Sequence, residues 1–400
     1  MSSKSSSSDQ VVKFRDLAQF IKTKSKVDEA HVRQLITNQQ YKPLRFLGKG
    51  RFGKVYLCSK QNSAKLFAVK VLNVERDRRE YNWTWLTVEE RLQSKADADS
   101  LTKFIASLAP GLVKDHMLRA EELLQDTMTR EENPQLRRIR RPVAEREILQ
   151  RMGPHPNVCG LLTSFRDNRF MCLVFDYFPC STLQALVDAT NGKLEEDLAR
   201  FFSAQLLLAL QFLQEKNVCH RDVKPSNILL DSNGYVALAD FGLATRLRGG
   251  LKNMCGTAEY IAPEVLSEPM WSASGLDLWA FGVTLYYLLT GKTPFEGPDA
   301  TSVFLNTLTA PVRFPDYVSP QARDLLQLLL VKETAKRPSM VQVQQHEFFA
   351  QVNWTLLAGK SPELVPMALG PKLTKLVEAG NRKFLFPDST GLRRFDSLLK

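Results

Sequence analysis

Apolar residues recur at helical spacing near the start of the chain: Phe14, Leu17, Ala18 and Ile21, then Val32, Leu35 and Ile36. This pattern predicts amphipathic helices docked through one apolar stripe. The period then becomes strand-like. Leu44, Phe46 and Leu47 lead into Gly48, Val55-Tyr56-Leu57 follows a glycine turn, and Leu66 to Val71 forms a third run. Residues 73–142 differ in kind. Trp85, Val88 and Leu92, then Leu101, Phe104, Ile105 and Leu108, then Val113, Met117, Ala120 and Leu124 predict three helices, with Pro110-Gly111 separating the last two. Helix returns at Val143 to Met152, and Pro154 and Pro156 stop it. Leu161 to Phe178 alternates like a strand pair around an Asp167-Asn168 turn. From Leu194 helices dominate, with an apolar stripe through Leu206, Leu210 and Leu213 and a buried run from Leu276 to Leu289. Residues 351–400 carry Pro, Gly and isolated aromatics and read as an extended tail lying on a surface. There is no internal repeat.

Composition narrows the class without changing that reading. Over 400 residues, 44% hydrophobic and 24% charged describes a folded chain. A net charge of +11 suits anionic ligands such as nucleotide phosphates or acidic partners, although solvated basic faces account for it more simply than nucleic-acid binding. None of the six cysteines forms a Cys-x-x-Cys pair, so neither a zinc site nor a disulfide framework is expected, and reduced thiols point to the cytoplasm or nucleus. Met1 to Ser8 is polar and Ser-rich, with no apolar core for a signal peptide, and residues 1–10 read as disordered. The run from Leu276 contains Asp277 and is too short to span a bilayer, so no membrane association is expected.

The chemistry concentrates in Val218-Cys-His-Arg-Asp-Val-Lys-Pro-Ser-Asn-Ile228. One short loop carries a carboxylate (Asp222), a cation (Lys224) and an amide oxygen (Asn227). Phosphoryl transfer to a hydroxyl needs these to orient the attacking oxygen, offset charge on the moving group and hold a metal ion. Upstream, Gly48-Lys49-Gly50-Arg51-Phe52-Gly53-Lys54-Val55 follows a strand and leads to another. That context predicts a hairpin lid over phosphates rather than the helix-opening turn of a dinucleotide fold. Ala68-Val69-Lys70 ends a strand, where a lysine reaches phosphate oxygens if a carboxylate positions it; Glu145 is the candidate and Glu147 the alternative. Downstream, Asp240-Phe241-Gly242 follows a strand and supplies a second metal-holding oxygen. Thr257, in Cys255-Gly256-Thr257, is placed to bond Asp222 and Lys224. Glu264 is placed to pair with Arg337. Asp277 needs donors for a buried carboxylate, and the amides of the Asp222 loop are the expected ones.

Together these residues resemble a eukaryotic protein kinase from about Tyr41 to Phe349, interrupted by 73–142. Lys224 two residues after Asp222, with Gly256-Thr257 and Tyr260, is similar to the Ser/Thr kinases. Glu145-Arg-Glu-Ile-Leu149, the length from Asp240 to Glu264, and His346-Glu-Phe-Phe-Ala-Gln-Val-Asn-Trp354 look like the AGC group. The resemblance implies an α+β, two-lobed fold. A small lobe (41–178) has five antiparallel strands and one helix and holds the helical insertion; a mainly helical large lobe covers 179–349; the N-terminal helical extension is 11–40 and the tail 350–400. It implies ATP and Mg2+ as co-substrate and cofactor, and protein Ser/Thr hydroxyls as acceptors. Val55, Ala68 and Leu229 would sandwich adenine, Phe175 would back it, and the backbone from Asp176 to Phe178 would bond it. Leu149, Leu161, His220 and Phe241 would stack as an apolar column. Phe384 or Phe386 would approach adenine from the tail.

Three positions depart from that pattern: Asn253 stands where such kinases carry a phosphorylated Thr, Ser226 where basic-directed members have Glu, and Thr182 where an acid meets the ribose. The fourth departure is the insertion, which is read either as a dock for a regulatory protein or as an elaboration that packs on the small lobe. Arg137-Arg-Ile-Arg-Arg141 is open among a solvated basic face, a phosphate dock and a nuclear signal. A kinase-shaped scaffold that binds without transferring phosphate is the alternative function. Intact Asp222, Asn227 and Asp240 weigh against it.

Overall fold

The computed structural model describes residues 28–50, 53–74, 134–247, 255–267 and 275–382. Residues 1–10, the first predicted N-terminal helix, the three predicted insertion helices, Arg51, Phe52, Asn253, Phe384 and Phe386 lie outside them. The chain divides into two compact units. One holds residues 28–74 and 161–177 of the described chain, and the other 134–160 and 178–382.

The first unit is built on strands β1 (Tyr41–Gly50), β2 (Gly53–Lys60), β3 (Leu66–Asn73), β4 (Leu161–Arg166) and β5 (Phe170–Asp176). They form one antiparallel sheet, as expected, and its strand order is β1-β2-β3-β5-β4. Alternation along β3 buries Phe67, Val69 and Val71 on one face and leaves Ala68 and Lys70 on the other. A helix over residues 28–38 (α1) covers the buried face. Val32 and Ile36 pack into a cluster with Tyr41, Tyr56, Val69, Cys172 and Val174, so the docked apolar stripe is where its spacing placed it.

Polar contacts set the register of α1 on the sheet. The Glu29 carboxylate accepts from Tyr56 Oη (2.6 Å) and Lys54 Nζ (3.3 Å). Burial alone would raise that carboxyl, but these bonds outweigh it and hold it below its usual value. Arg169 pairs with Asp28 at 2.6 Å, and His31 Nε2 meets Asp167 at 2.6 Å. Asp167 also closes its own turn by accepting the Arg169 and Phe170 amides, both at 2.7 Å.

The second unit is mainly helical: α2 (Pro134–Met152), α3 (Leu183–Ala189), α4 (Glu196–Glu215), α5 (Pro263–Ser267), α6 (Leu276–Thr290), α7 (Ala300–Thr309), α8 (Pro320–Leu329), α9 (Met340–Gln344), α10 (Trp354–Ala358) and α11 (Gly370–Arg382). Two small ladders complete it, β6 (Val218–Cys219) with β9 (Thr245–Arg246), and β7 (Ile228–Leu230) with β8 (Val236–Leu238). The core is α6 against α4, with Trp279, Phe281 and Phe202 fully buried.

Two readings need correction. Helix does not restart at Val143: α2 begins by Pro134 and runs through Pro142. An interior proline gives up one backbone bond and crowds the preceding turn, but it stops a helix only when the flanking residues cannot carry it. The tail is not extended through 382. Leu369, Leu373 and Leu376 recur at helical spacing and are buried under α11 and its approach, a stripe that the Pro and Gly around it obscured.

Among the described residues, no helix is long and apolar enough to cross a membrane. All six cysteines are free and five are buried. Burial pushes the Cys58 and Cys172 thiols up to about 12 and Cys180 to about 11, which keeps them protonated and unreactive.

Ile36 is fully buried under the sheet. Ile36→Ala is expected to destabilise the protein by about 2–4 kcal/mol, read as a lower thermal midpoint.

Candidate active site

The candidate site in the helical unit is organised around one buried carboxylate. Asp277, in the first turn of α6, is 5% exposed and accepts the backbone amides of His220 (2.7 Å) and Arg221 (2.8 Å). Burying a carboxylate costs several kcal/mol, and bonds of this charge-assisted kind return about 1.5–3 kcal/mol each. The bonds hold the loop in a shape that Arg221 alone would avoid, with φ +66°. Arg221 Nε donates to the Leu243 carbonyl at 2.7 Å. Opposite, Gly256 (φ +118°) brings its Cα so near the Arg221 carbonyl that a Cβ would sit 2.8 Å from it. No other residue type combines that φ with that approach.

His220 transmits the constraint. Its Nε2 lies 3.0 Å from the Ala239 carbonyl and its Nδ1 accepts the Asp222 amide at 3.3 Å. A carbonyl can only accept, so the proton sits on Nε2 and the imidazole is neutral in this arrangement. The ring packs edge-on against Phe241 at 4.8 Å. Ala239 in turn donates to the Asn227 carbonyl at 2.8 Å, which closes the mouth of the β7–β8 hairpin. Asn227 and Asp240 therefore flank that mouth. Asp240 adopts the left-handed conformation (φ 62°, ψ 73°), a strained state that costs about 1–3 kcal/mol and persists where surroundings enforce it.

The predicted polar residues meet in a closed ring. Lys224 Nζ lies 2.9 Å from Asp222 Oδ2 and donates to Thr257 Oγ1 at 2.5 Å. Thr257 donates to Asp222 Oδ1 at 2.8 Å. Asn227 Nδ2 donates to both the Asp222 carbonyl (2.8 Å) and Oδ2 (2.9 Å). Both amide hydrogens of Asn227 are thus committed, so its side-chain oxygen Oδ1 is the atom that could hold a cation. One amide oxygen and one carboxylate form a hard-oxygen set. Such a set fits magnesium, which takes one or two protein oxygens and draws the rest from phosphates and water. Among the described residues, no group of three or more His, Cys, Asp or Glu side chains gathers as a metal site.

Residues expected at the nucleotide are distributed between the units. In the sheet, Gly48 pairs with Val55, Lys49 with Lys54 and Gly50 with Gly53, so the glycine segment is a hairpin. Val55 pairs with Lys70, and Ala68 with Phe175. Asp176 ends β5 and is exposed. Glu145 and Leu149 are buried on α2, Phe241 is buried just after β8, and Leu229 lies on β7, all in the helical unit. Phe178 lies in that unit too. Thr182 caps α3 by accepting the Ala185 amide at 3.2 Å, and Ser226 is exposed.

The residues match a known pattern along more than half the chain: the Protein kinase domain family covers residues 126–349. The chain belongs to the protein kinase family. Its similarities lie on the AGC side of that family. Serine/threonine-protein kinase akt-1 of Caenorhabditis elegans is 30% identical over 334 residues, 82% of this chain and 51% of that protein. Serine/threonine-protein kinase sck2 of Schizosaccharomyces pombe is 31% identical over 340 residues, 82% of this chain and 44% of its own. The cAMP-dependent protein kinase type 3 of Saccharomyces cerevisiae is 34% identical over 230 residues, 56% of this chain and 57% of its own. This kinase chain spans about half the length of the curated relatives it matches.

A brace below the site was only partly foreseen. Arg337 holds Glu264 in a two-pronged pair with both bonds at 2.6 Å, as its sequence position predicted, and both side chains are almost fully buried. The guanidinium also lies 4.9 Å from the Trp279 ring, which stacks on Phe295. Lys332, which sequence reasoning missed, sits 3.5 Å over the Phe295 ring, and its buried Nζ has no hydrogen-bond partner among the described residues. Burial, reinforced by the Arg337 charge, pushes the Lys332 ammonium down to about 7. No spacing rule announces a lysine of this kind, because its environment comes from three separate segments.

Removing Glu264 while leaving Arg337 buried is expected to cost about 3–5 kcal/mol, measured by chemical denaturation of Glu264→Ala. Lys332 predicts a pH signature. An unfolded chain keeps it charged to about 10.5, whereas the folded protein charges it only below about 7. The folded state therefore bears the full penalty below pH 7, and the penalty fades as pH rises towards 10.5. Lys332→Met should stabilise the protein at pH 6 by roughly 1–3 kcal/mol, the burial penalty less the ring attraction. The gain should vanish near pH 10.5 in thermal melts.

Proposed function

We propose that the protein is a serine/threonine protein kinase that moves the γ-phosphoryl group of ATP, with Mg2+, to hydroxyls of protein substrates. The observation that carries this reading is the Asp222–Lys224–Thr257–Asn227 ring, in which a base, a cation and a metal-holding amide are oriented by one another. Asp222 orients the substrate hydroxyl and accepts its proton as the new O–P bond forms and the bond to ADP breaks. Lys224 offsets charge on the transferring group. Thr257 fixes both side chains at the correct spacing. Asn227 and Asp240 are the residues that would hold the metal, which when bound neutralises charge on the phosphates. In the sheet unit, Lys70 would reach phosphate oxygens, the Gly48 to Val55 hairpin would exclude water, and Val55 and Ala68 would contact adenine.

This assignment makes the chemistry almost wholly a matter of position and electrostatics, with turnover on the order of 1–100 per second. The presence of Asp222, Asn227 and Asp240 together favours an enzyme over a scaffold. The insertion is the place for a regulatory protein to act: its last residues continue without a break into α2, so a partner that moves them moves the helix bearing Glu145. Protein substrates and a regulatory protein are the partners this reading calls for.

Arg221 is already engaged by Leu243 and by its own amide bond to Asp277, which supports a loop that needs no phosphate at position 253.

Incubation with labelled ATP, Mg2+ and a basic protein should label the acceptor on Ser and Thr. Asp222→Asn and Lys70→Met should each abolish transfer; persistent labelling by both would contradict the reading. Phosphatase treatment should leave activity unchanged, and a large loss would show that another residue, Thr245 or Thr257 first, carries a required phosphate.

A further inference from the structure

The β7–β8 hairpin joins the two residues assigned to the metal, since Asn227 leads into β7 and β8 leads to Asp240. Its long edges are covered. Leu230 exchanges backbone bonds with Cys180 and Ser181, at 3.2 and 3.0 Å. On the other side the Leu238 amide donates to Asn157, and the Leu238 carbonyl accepts from Cys159, at 2.8 and 2.9 Å. The tip is different. There the contacts come from a segment more than a hundred residues away in sequence.

The tip is built by Asp231. Its Oδ1 accepts the amides of Asn233 (2.9 Å) and Tyr235 (2.8 Å), which leaves Oδ2 facing Lys360 Nζ at 3.5 Å. Tyr235 is 1% exposed and donates its hydroxyl to the Ser361 carbonyl at 2.6 Å. Gly234, at φ +86°, lies so close under the tail that a Cβ there would be 2.8 Å from Leu369 and 3.0 Å from Val365. Leu369 is fully buried and leads into α11, which packs on α3.

Lys360 itself is in the left-handed region, φ +53°, at the end of α10. A position of that kind favours Gly or Asn. A lysine there accepts strain of a sort that persists where other contacts over-determine it. The contacts here are Asp231 and the face of Tyr235, 5.6 Å from Nζ.

We propose that the segment from Lys360 to Leu376 is a clamp that holds the hairpin tip and so sets the position of Asn227 and Asp240 at the other end, with Tyr235 and Lys360 as its positioning residues. The ladder between tip and mouth is three residue pairs long, about 10 Å of antiparallel strand, too short to absorb a rotation of the tip. The name "clamp" rests on the assignment of Asn227 and Asp240 to the metal; the mechanical coupling does not.

The test is hydrogen exchange on the full, metal-free chain. Leu369→Asp places a charge in a fully buried site and releases the tail. Tyr235→Phe combined with Lys360→Ala removes the two polar contacts while keeping volume at Tyr235, and serves if the first variant does not fold. The expected result is exchange about three- to tenfold faster at Leu230 and Ala239, with α6 amides at wild-type rates. Wild-type rates at Leu230 and Ala239 in a variant whose α11 amides have lost protection would overturn the clamp. So would equal acceleration in α6, which would mean general loosening.

A second readout uses a non-hydrolysable ATP analogue. The half-saturating Mg2+ concentration for its binding should rise about three- to tenfold in either variant, with analogue affinity in the absence of metal unchanged. An unshifted Mg2+ requirement would also overturn the clamp. Failure of the wild-type protein to bind the analogue with Mg2+ would instead count against the proposed function, because the exchange measurement does not depend on it.

Discussion

The structure of the candidate site depends on the Asp277 carboxylate. It is the charge that an otherwise apolar helix keeps inside the helical unit, and its two oxygens are satisfied by two consecutive amides of a loop 56 residues earlier. Those bonds make the left-handed turn at Arg221 tolerable. They also fix His220, whose Nε2–H reaches Ala239, whose amide reaches Asn227, whose side chain reaches Asp222. One buried acid thus positions the candidate base and both candidate metal-holding residues through a chain of hydrogen bonds in which every link but the last ends on the backbone.

The polar ring built on this frame is balanced internally. Asp222 faces three donors, from Thr257, Asn227 and Lys224. That crowd keeps the carboxylate aimed, and it keeps the Lys224 ammonium on the side where a phosphoryl group would gather negative charge. Within the site, Arg221 and Asp240 take left-handed backbone conformations, one on either side of the ring. Arg221 is held by Asp277, Leu243 and Gly256, which have no chemistry to perform, and Asp240 follows the hairpin mouth closed by Ala239 and Asn227. The division between residues that react and residues that hold them explains why Glu264, Arg337 and the Trp279–Phe295 stack are so deeply buried.

Much of this was legible in the chain because the chemistry restricts the residue types. Lys224 and Asn227 at their spacing from Asp222, a glycine hairpin between strands, and Asp240 after an apolar run each have few substitutes. The strand runs followed from alternation and from the Asp167 turn, and their number from the resemblance. What sequence reasoning missed has no local period. The Glu29–Tyr56, His31–Asp167 and Arg169–Asp28 contacts join residues from 27 to 141 positions apart. Pro142 was read as a boundary, although helix continues on both sides of it. Prolines and glycines in the tail masked the Leu369, Leu373 and Leu376 stripe. Thr182, which stands where an acid meets the ribose in the resembled family, also caps α3, because a hydroxyl before a helix finds an amide at hand.

The central claim, that Asp277 aligns the loop rather than merely stabilising the fold, is tested most directly by Asp277→Asn. The amide keeps size and one acceptor but turns an NH2 group towards a backbone N–H, so one of the two loop bonds must fail. The account predicts a folded protein with near wild-type nucleotide affinity and a rate of phosphoryl transfer lower by about 100-fold, the cost of a small misplacement of reacting groups. A folded Asp277→Asn protein that transfers phosphate at the wild-type rate would contradict it.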